Sequence, residues 1–159
     1  MDLTERLSDG EGIFVGSSSS CLCLVHGETV PSQYVPSRPF RINAGAVHSY
    51  VMMANGSTKY LSELSSGDQV AVYSGDGLTK IATIGRLKIE RRPLLKVSMK
   101  SENFTGNVIL QQAETVRLVT SSGTAISVTE LSSGDEITVL NEKGMRHIGI
   151  SVQGEVTEK

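Results

Sequence analysis

Two short windows gather the side chains that could hold an anion. Residues 37–51 carry Arg38, Arg41, Asn43 and His48 around the flexible Gly45. Residues 85–95 carry Arg86, Lys88, Glu90, Arg91 and Arg92. Arginine is planar, permanently charged and forked, so it suits carboxylate and phosphate oxygens. Five arginines in two windows of a mildly acidic chain point to an anionic ligand. The competing reading is that they only satisfy strand ends and surface carboxylates, as many ion pairs do. A third polar group comprises Gln111, Gln112, Glu114 and Arg117, and Arg146 with His147 would join from the last hairpin. The candidate binding set is therefore Arg38, Arg41, Asn43, Arg86, Lys88, Arg91, Gln111, Arg146 and His147. His48 or His147 could act as general acid or base, because histidine titrates near neutrality. A histidine in a strand is more often simply a packed or surface residue.

Other chemistries find little support. His26, His48 and His147 are far apart, and Cys21 and Cys23 have no companion pair at zinc spacing, so no metal site is expected. On a strand the two cysteines share a face and should pack as small apolar groups. There is no Gly-x-Ser-x-Gly nucleophile turn, and the serine run after Gly16 reads as a loop. No Gly-x-Gly-x-x-Gly follows a strand, so no residue is assigned to cofactor binding.

Composition narrows the partners. The 159 residues are 38% hydrophobic and 20% charged, which suits a globular protein with a buried core. A formal charge of −2 creates no global field for nucleic acid or anionic membrane. No apolar run approaches the roughly 20 residues that span a bilayer. Residues 1–6 lack an apolar signal core and are acidic early. A cytoplasmic location is expected; a plastid address would have to sit in a segment ahead of Met1. The two neighbouring cysteines suit a reducing compartment.

The elements that must position the polar windows read as strands. Residues 2–7 suggest a short helix or a frayed arm. Ile13, Phe14 and Val15 begin a strand, and 21–25 is a continuous apolar run, as expected of a strand buried on both faces. Pro31, Pro36 and Pro39 make 30–39 a non-helical connection. Strands are expected over 47–53, 69–73, 81–90, 95–99, 108–119, 125–128, 136–140 and 148–152, with Gly and Ser between them. Glu-Leu-Ser-Ser-Gly-Asp at 63–68 recurs at 130–135, 67 residues later, each copy preceded by a strand and a glycine turn. In each copy leucine should plug the core, glycine take the left-handed conformation and aspartate cap the turn amides. The fold class is mainly β, barrel- or sandwich-like, with a duplicated β-unit and few short helices. Residues 1–36 read as an amino-terminal strand segment, a remnant of or linker to a further region, and 37–159 as the duplicated β domain. The repeat would bring 43–48 and 111–114 together across a pseudo-twofold.

At 37–48, 61–64, 85–95, 110–119, 127–135 and 146–147 the sequence resembles the carboxy-terminal part of the archaeal-type 3-dehydroquinate synthase (dehydroquinate synthase II) family. The resemblance runs from about Gly10 to Lys159. It implies an NAD-dependent oxidoreductase of aromatic amino acid biosynthesis, in the shikimate pathway. The reaction it implies is oxidative deamination of 2-amino-3,7-dideoxy-D-threo-hept-6-ulosonate, followed by a lyase-like cyclisation to 3-dehydroquinate. On that reading Arg38 or Arg41 grips the substrate carboxylate, and His48 or Glu114 moves protons. NAD enters by resemblance alone. The expected partners are a small anionic substrate and either a second copy of the chain or an amino-terminal domain, with no nucleic acid and no membrane. The alternative is a non-catalytic β-module that binds a small anion or a partner chain.

Overall fold

A computed structural model describes residues 1–141, 145–147 and 150–152. The chain runs through β1 (Asp2–Leu3), β2 (Gly12–Ser18), β3 (Cys21–His26), β4 (Tyr50–Met52), β5 (Thr58–Tyr60) and a 3-10 turn at Leu61–Glu63. It continues through β6 (Gln69–Ser74), β7 (Gly77–Arg86), β8 (Leu94–Lys100), β9 (Thr105–Gln111), β10 (Arg117–Val119), β11 (Ala125–Ser127) and β12 (Val139–Asn141). A hairpin of β13 (Met145–His147) and β14 (Ile150–Val152) follows. Among the described residues that one 3-10 turn is the only helical element, and no helix is long and apolar enough to cross a membrane. The mainly β, barrel-like class expected from the sequence is what forms.

The β2–β3 hairpin is the centre. The main sheet has ten strands, ordered β1-β7-β6-β2-β3-β10-β11, with β4 also on β2, β5 on β4 and β12 also on β3. Alternation along β2 and β3 sorts their side chains between two apolar clusters. Ile13, Val15, Cys21, Cys23 and Val25 face one, while Phe14, Leu22 and Leu24 face the other. Both faces are covered, so every residue of β3 is buried and the apolar run is continuous. The β8–β9 hairpin contributes Met99, Val108 and Leu110 to the larger cluster. Burial pushes the Cys23 thiol up to about 12, as suits a small apolar packing group.

The sequence repeat is a structural repeat hung on this hairpin. Val51 of β4 pairs with Val15 of β2, and Leu118 of β10 pairs with Val25 of β3. Isolated bridges join Met53 to Val70 in one unit and Thr120 to Ile137 in the other. Each Glu-Leu-Ser-Ser-Gly-Asp copy closes in the same way. The Ser65 amide donates to Asp68 at 2.9 Å, and the Ser132 amide to Asp135 at 2.7 Å. Gly67 and Gly134 hold φ of 96° and 101°, the left-handed region that favours glycine. Residues 1–36 supply both central strands, so strands of the later segment bond to them on either side.

Several expected boundaries move. Residues 2–7 form no helix: Asp2 and Leu3 pair with Arg86 and Ile84 of β7, and both are buried. Tertiary pairing overrides local propensity there. The strand expected over 81–90 ends at Arg86, leaving 87–93 outside the sheet. The run 108–119 splits at 112–116, where the Val116 amide donates to the Ala113 carbonyl in a tight turn.

His26, at the end of β3, is 2% exposed, and its Nε2 accepts the Gly10 amide at 2.9 Å. Burial lowers its pKa, so the fold holds the imidazole neutral. An unfolded histidine titrates near ~6.5. Folding stability should therefore decline as pH falls below that value and through the lowered folded one. Denaturant midpoints measured from pH 7 to 5 should show this slope in the native chain and lose it in His26→Leu.

Candidate functional site

The polar windows meet in one open cleft of about 420 Å³. The walls come from residues 1–2, Glu28, the 38–47 stretch, the 86–94 stretch, and Gln111 with Thr115. Proline sets up the first wall. Pro36 and Pro39 have no amide hydrogen to donate, so pairing within 36–39 is limited to the isolated bridge of Arg38 with Glu28. The segment is tied down by its neighbours instead. The Arg38 amide donates to the Glu28 carbonyl at 2.6 Å, and the Leu3 amide to the Phe40 carbonyl at 2.7 Å. The Ile42 amide donates to the Met1 carbonyl at 3.0 Å.

Asp2 fixes the arginines. Its carboxylate takes Arg41 Nε at 2.6 Å and Arg41 Nη2 at 3.0 Å in a forked pair, and Arg86 Nε at 2.8 Å. The Arg41 hydrogen bonds, reinforced by Arg86 against the effect of burial, hold the Asp2 carboxyl down at about 2. A second group sits farther along the 86–94 stretch, where Lys88 Nζ lies 2.7 Å and Arg92 Nη2 2.9 Å from Glu90. Lys88 and Arg92 hold the Glu90 carboxyl at about 2. Among the described residues Arg38 pairs with Glu28 alone, at 3.5 Å. Glu28 is 6% exposed, and desolvation raises its pKa despite Arg41 and Arg38 nearby. It is the one cleft carboxylate not gripped at short range by two cations. Five basic side chains face three acidic ones here, so the cleft is locally cationic in an acidic chain.

Across the pseudo-twofold, Asn43 Nδ2 donates to Gln111 Oε1 at 2.7 Å. Gly45 makes that approach work, since it holds φ of 95° and a Cβ there would meet the Ile109 carbonyl oxygen at 2.3 Å. The Ala46 amide donates to the same carbonyl at 3.0 Å.

The structure thus brings Arg38, Arg41, Asn43, Arg86, Lys88 and Gln111 to one cleft. It leaves Arg91, His48 and Glu114 exposed and outside the lining. The side chains of Arg146 and His147 lie outside the described residues. Sequence reasoning missed Asp2 and Glu28. The only signal for Glu28 was a lone carboxylate two residues beyond a buried strand.

The whole chain, residues 1–159, matches a family model described as the 3-dehydroquinate synthase II C-terminal domain. A 3-dehydroquinate synthase of Methanoculleus marisnigri is 47% identical over all of this chain and 48% of its own length. One of Methanothermobacter thermautotrophicus is 45% identical over all of this chain and 42% of its own. A 3-dehydroquinate synthase homolog of Aquifex aeolicus is 47% identical over all of this chain and 48% of its own. The chain spans about half the length of the curated relatives it matches. No solved structure matches it.

Asp2→Asn should keep the shape of the carboxylate and remove its charge. The folded carboxyl ionises at about 2 and the unfolded one near ~3.9, so the ion pairs stabilise fully above about pH 4 and are lost as pH falls through 2. At pH 7 the variant should lose about 1–3 kcal/mol in denaturant unfolding, and the loss should vanish near pH 2.

Proposed function

The chain belongs to the family of 3-dehydroquinate synthase II carboxy-terminal domains, and from that premise we propose that it forms the anion-binding wall of a 3-dehydroquinate synthase active site. The observation that carries this reading is the cationic cleft shared by the 38–47 and 86–94 stretches. The proposed substrate is 2-amino-3,7-dideoxy-D-threo-hept-6-ulosonate, an open-chain acid rich in hydroxyls. It would undergo oxidative deamination and cyclisation to 3-dehydroquinate. Arg38 is the best-placed grip for its carboxylate, because the Arg41 fork is already filled by Asp2. Lys88 and Arg92 can turn from the exposed Glu90 toward the ligand. The Asn43–Gln111 pair offers neutral donors and acceptors for hydroxyls. Glu28 is the proposed proton-transfer group: it is buried in the cleft wall, and its raised pKa brings it closer to neutrality.

NAD is the proposed oxidant by family resemblance. The described residues do not fit a dinucleotide: they contain no α-helix whose N-terminus could face a pyrophosphate, and no glycine-rich strand-to-helix turn. We therefore assign no step through NAD to this chain. The cofactor would be held by another part of the full-length enzyme.

Calorimetric titration with 3-dehydroquinate and with the amino-heptulosonate tests the cleft directly. Arg38→Ala should weaken binding at least about tenfold, or ~1.4 kcal/mol, with the unfolding midpoint little changed. Unchanged affinity would remove Arg38 from the site. NADH absorbance should report turnover once the preceding domain of a relative is supplied, and Glu28→Gln should then lower kcat about 100-fold or more with a smaller effect on KM. Binding without turnover in any such combination would favour the non-catalytic anion-binding module.

A further inference from the structure

The cleft is open, and exposed apolar side chains line it beside the charged ones. Val47, Ile89 and Leu94 line it while remaining 45%, 74% and 48% exposed. Leu87 and Leu61 lie beneath them, packed against the core. Residues 87–93 form no strand, so this wall stands outside the sheet, tied by Leu87 to the core and by the Pro93 carbonyl to the Gln112 amide. Large apolar side chains gathered around a polar cleft mark a surface that another body covers. Met1 also lines the cleft, and its carbonyl is bonded to the Ile42 amide. Whatever precedes this position in a longer chain therefore emerges at the cleft wall itself. The matching family is described as a carboxy-terminal domain, and the relatives are about twice as long as the match. That places the remaining half of such a relative ahead of the residue aligned with Met1.

We propose that the cleft is an interdomain site, covered by the amino-terminal half of the relatives' architecture, which packs on Val47, Ile89 and Leu94 and closes the cationic pocket from outside. The occupant's face would be apolar where it meets the rim. A direct chain connection at Met1 would hold it there at high effective concentration. The covering holds whatever reaction the cleft serves, and its failure would leave the assignment of Arg38 and Glu28 untouched.

Another two exposed apolar side chains, Leu78 and Ile81, provide an internal control. They sit on β7, with Leu78 eight residues up the strand from Arg86, about 26 Å away at the rise of an extended chain.

The experiment compares amide hydrogen exchange in the 159-residue chain with that in a fusion carrying the amino-terminal half of the Methanoculleus marisnigri relative ahead of Met1. Amides of β2 and β3 serve as the folding reference. Exchange over 43–47 and 86–94 should slow at least tenfold in the fusion. Ile89→Asp combined with Leu94→Asp should leave the melting temperature of the separate chain within about a degree, since both side chains face solvent, and should abolish the protection gained in the fusion. Leu78→Asp should leave both the melting temperature and the protection unchanged. Unchanged exchange over 86–94 in a fusion whose β2–β3 amides are protected overturns the proposal. So does protection that survives the double substitution, or protection confined to the Leu78 end of β7.

Discussion

A single carboxylate, Asp2, is shared between two arginines brought to it by the β1–β7 pairing and an isolated bridge. Arg41 bridges to it from the proline-held segment, and Arg86 reaches it from the end of β7. Two guanidinium groups brought this close would repel each other. The carboxylate between them makes the arrangement stable, and its own pKa records the pull. The same interaction decides which cations remain for a ligand. Arg41 has spent its fork, whereas Arg38, Lys88 and Arg92 are held by looser or more exposed partners. A structural ion pair thus sorts the arginine cluster into supports and candidates.

The pseudo-twofold about the β2–β3 hairpin explains why the cleft lies where it does. Each repeat hangs its first strand on one strand of the central hairpin, so the two units face each other across it. The stretch before each first strand then has to pass its counterpart. Gly45 lets the backbone approach β9 closely enough for Asn43 to reach Gln111. One copy leads into the arginine segment and the other does not. Duplication supplies the scaffold, and the divergence of one copy supplies the charge.

How much of this was legible in the sequence follows from the range of the interactions. The glycine turns, the aspartate caps and the buried run at 21–25 are set by contacts within a few residues, and their sequence signals were sound. The clustering of the arginines was visible in the sequence, and the repeat pointed to the approach of 43–48 and 111–114, where Asn43 meets Gln111. Asp2 was misread as part of a helix or a frayed arm, because its partners lie 39 and 84 residues away. Glu28 gave almost no signal, since its burial depends on the chain folding back to bridge at Arg38. His48 and Glu114 attracted notice by residue type alone, and side-chain direction placed both in solvent.

Covering the cleft would change its chemistry as well as its shape. An open cleft leaves its cations in contact with water, where a charge pair at 4 Å is worth only about 1 kcal/mol. Excluding that water strengthens every arginine–anion contact inside. It also deepens the desolvation that already raises Glu28 against the pull of Arg41 and of Arg38, its salt-bridge partner at 3.5 Å. A ligand carboxylate that draws Arg38 away would remove part of the remaining stabilisation of the Glu28 anion. Binding and closure therefore push Glu28 in the same direction, toward the protonated form. Asp2, clamped by two arginines outside that exchange, stays ionised. The two cleft carboxylates would in this way be set to opposite tasks, Asp2 as a fixed charge and Glu28 as a movable proton.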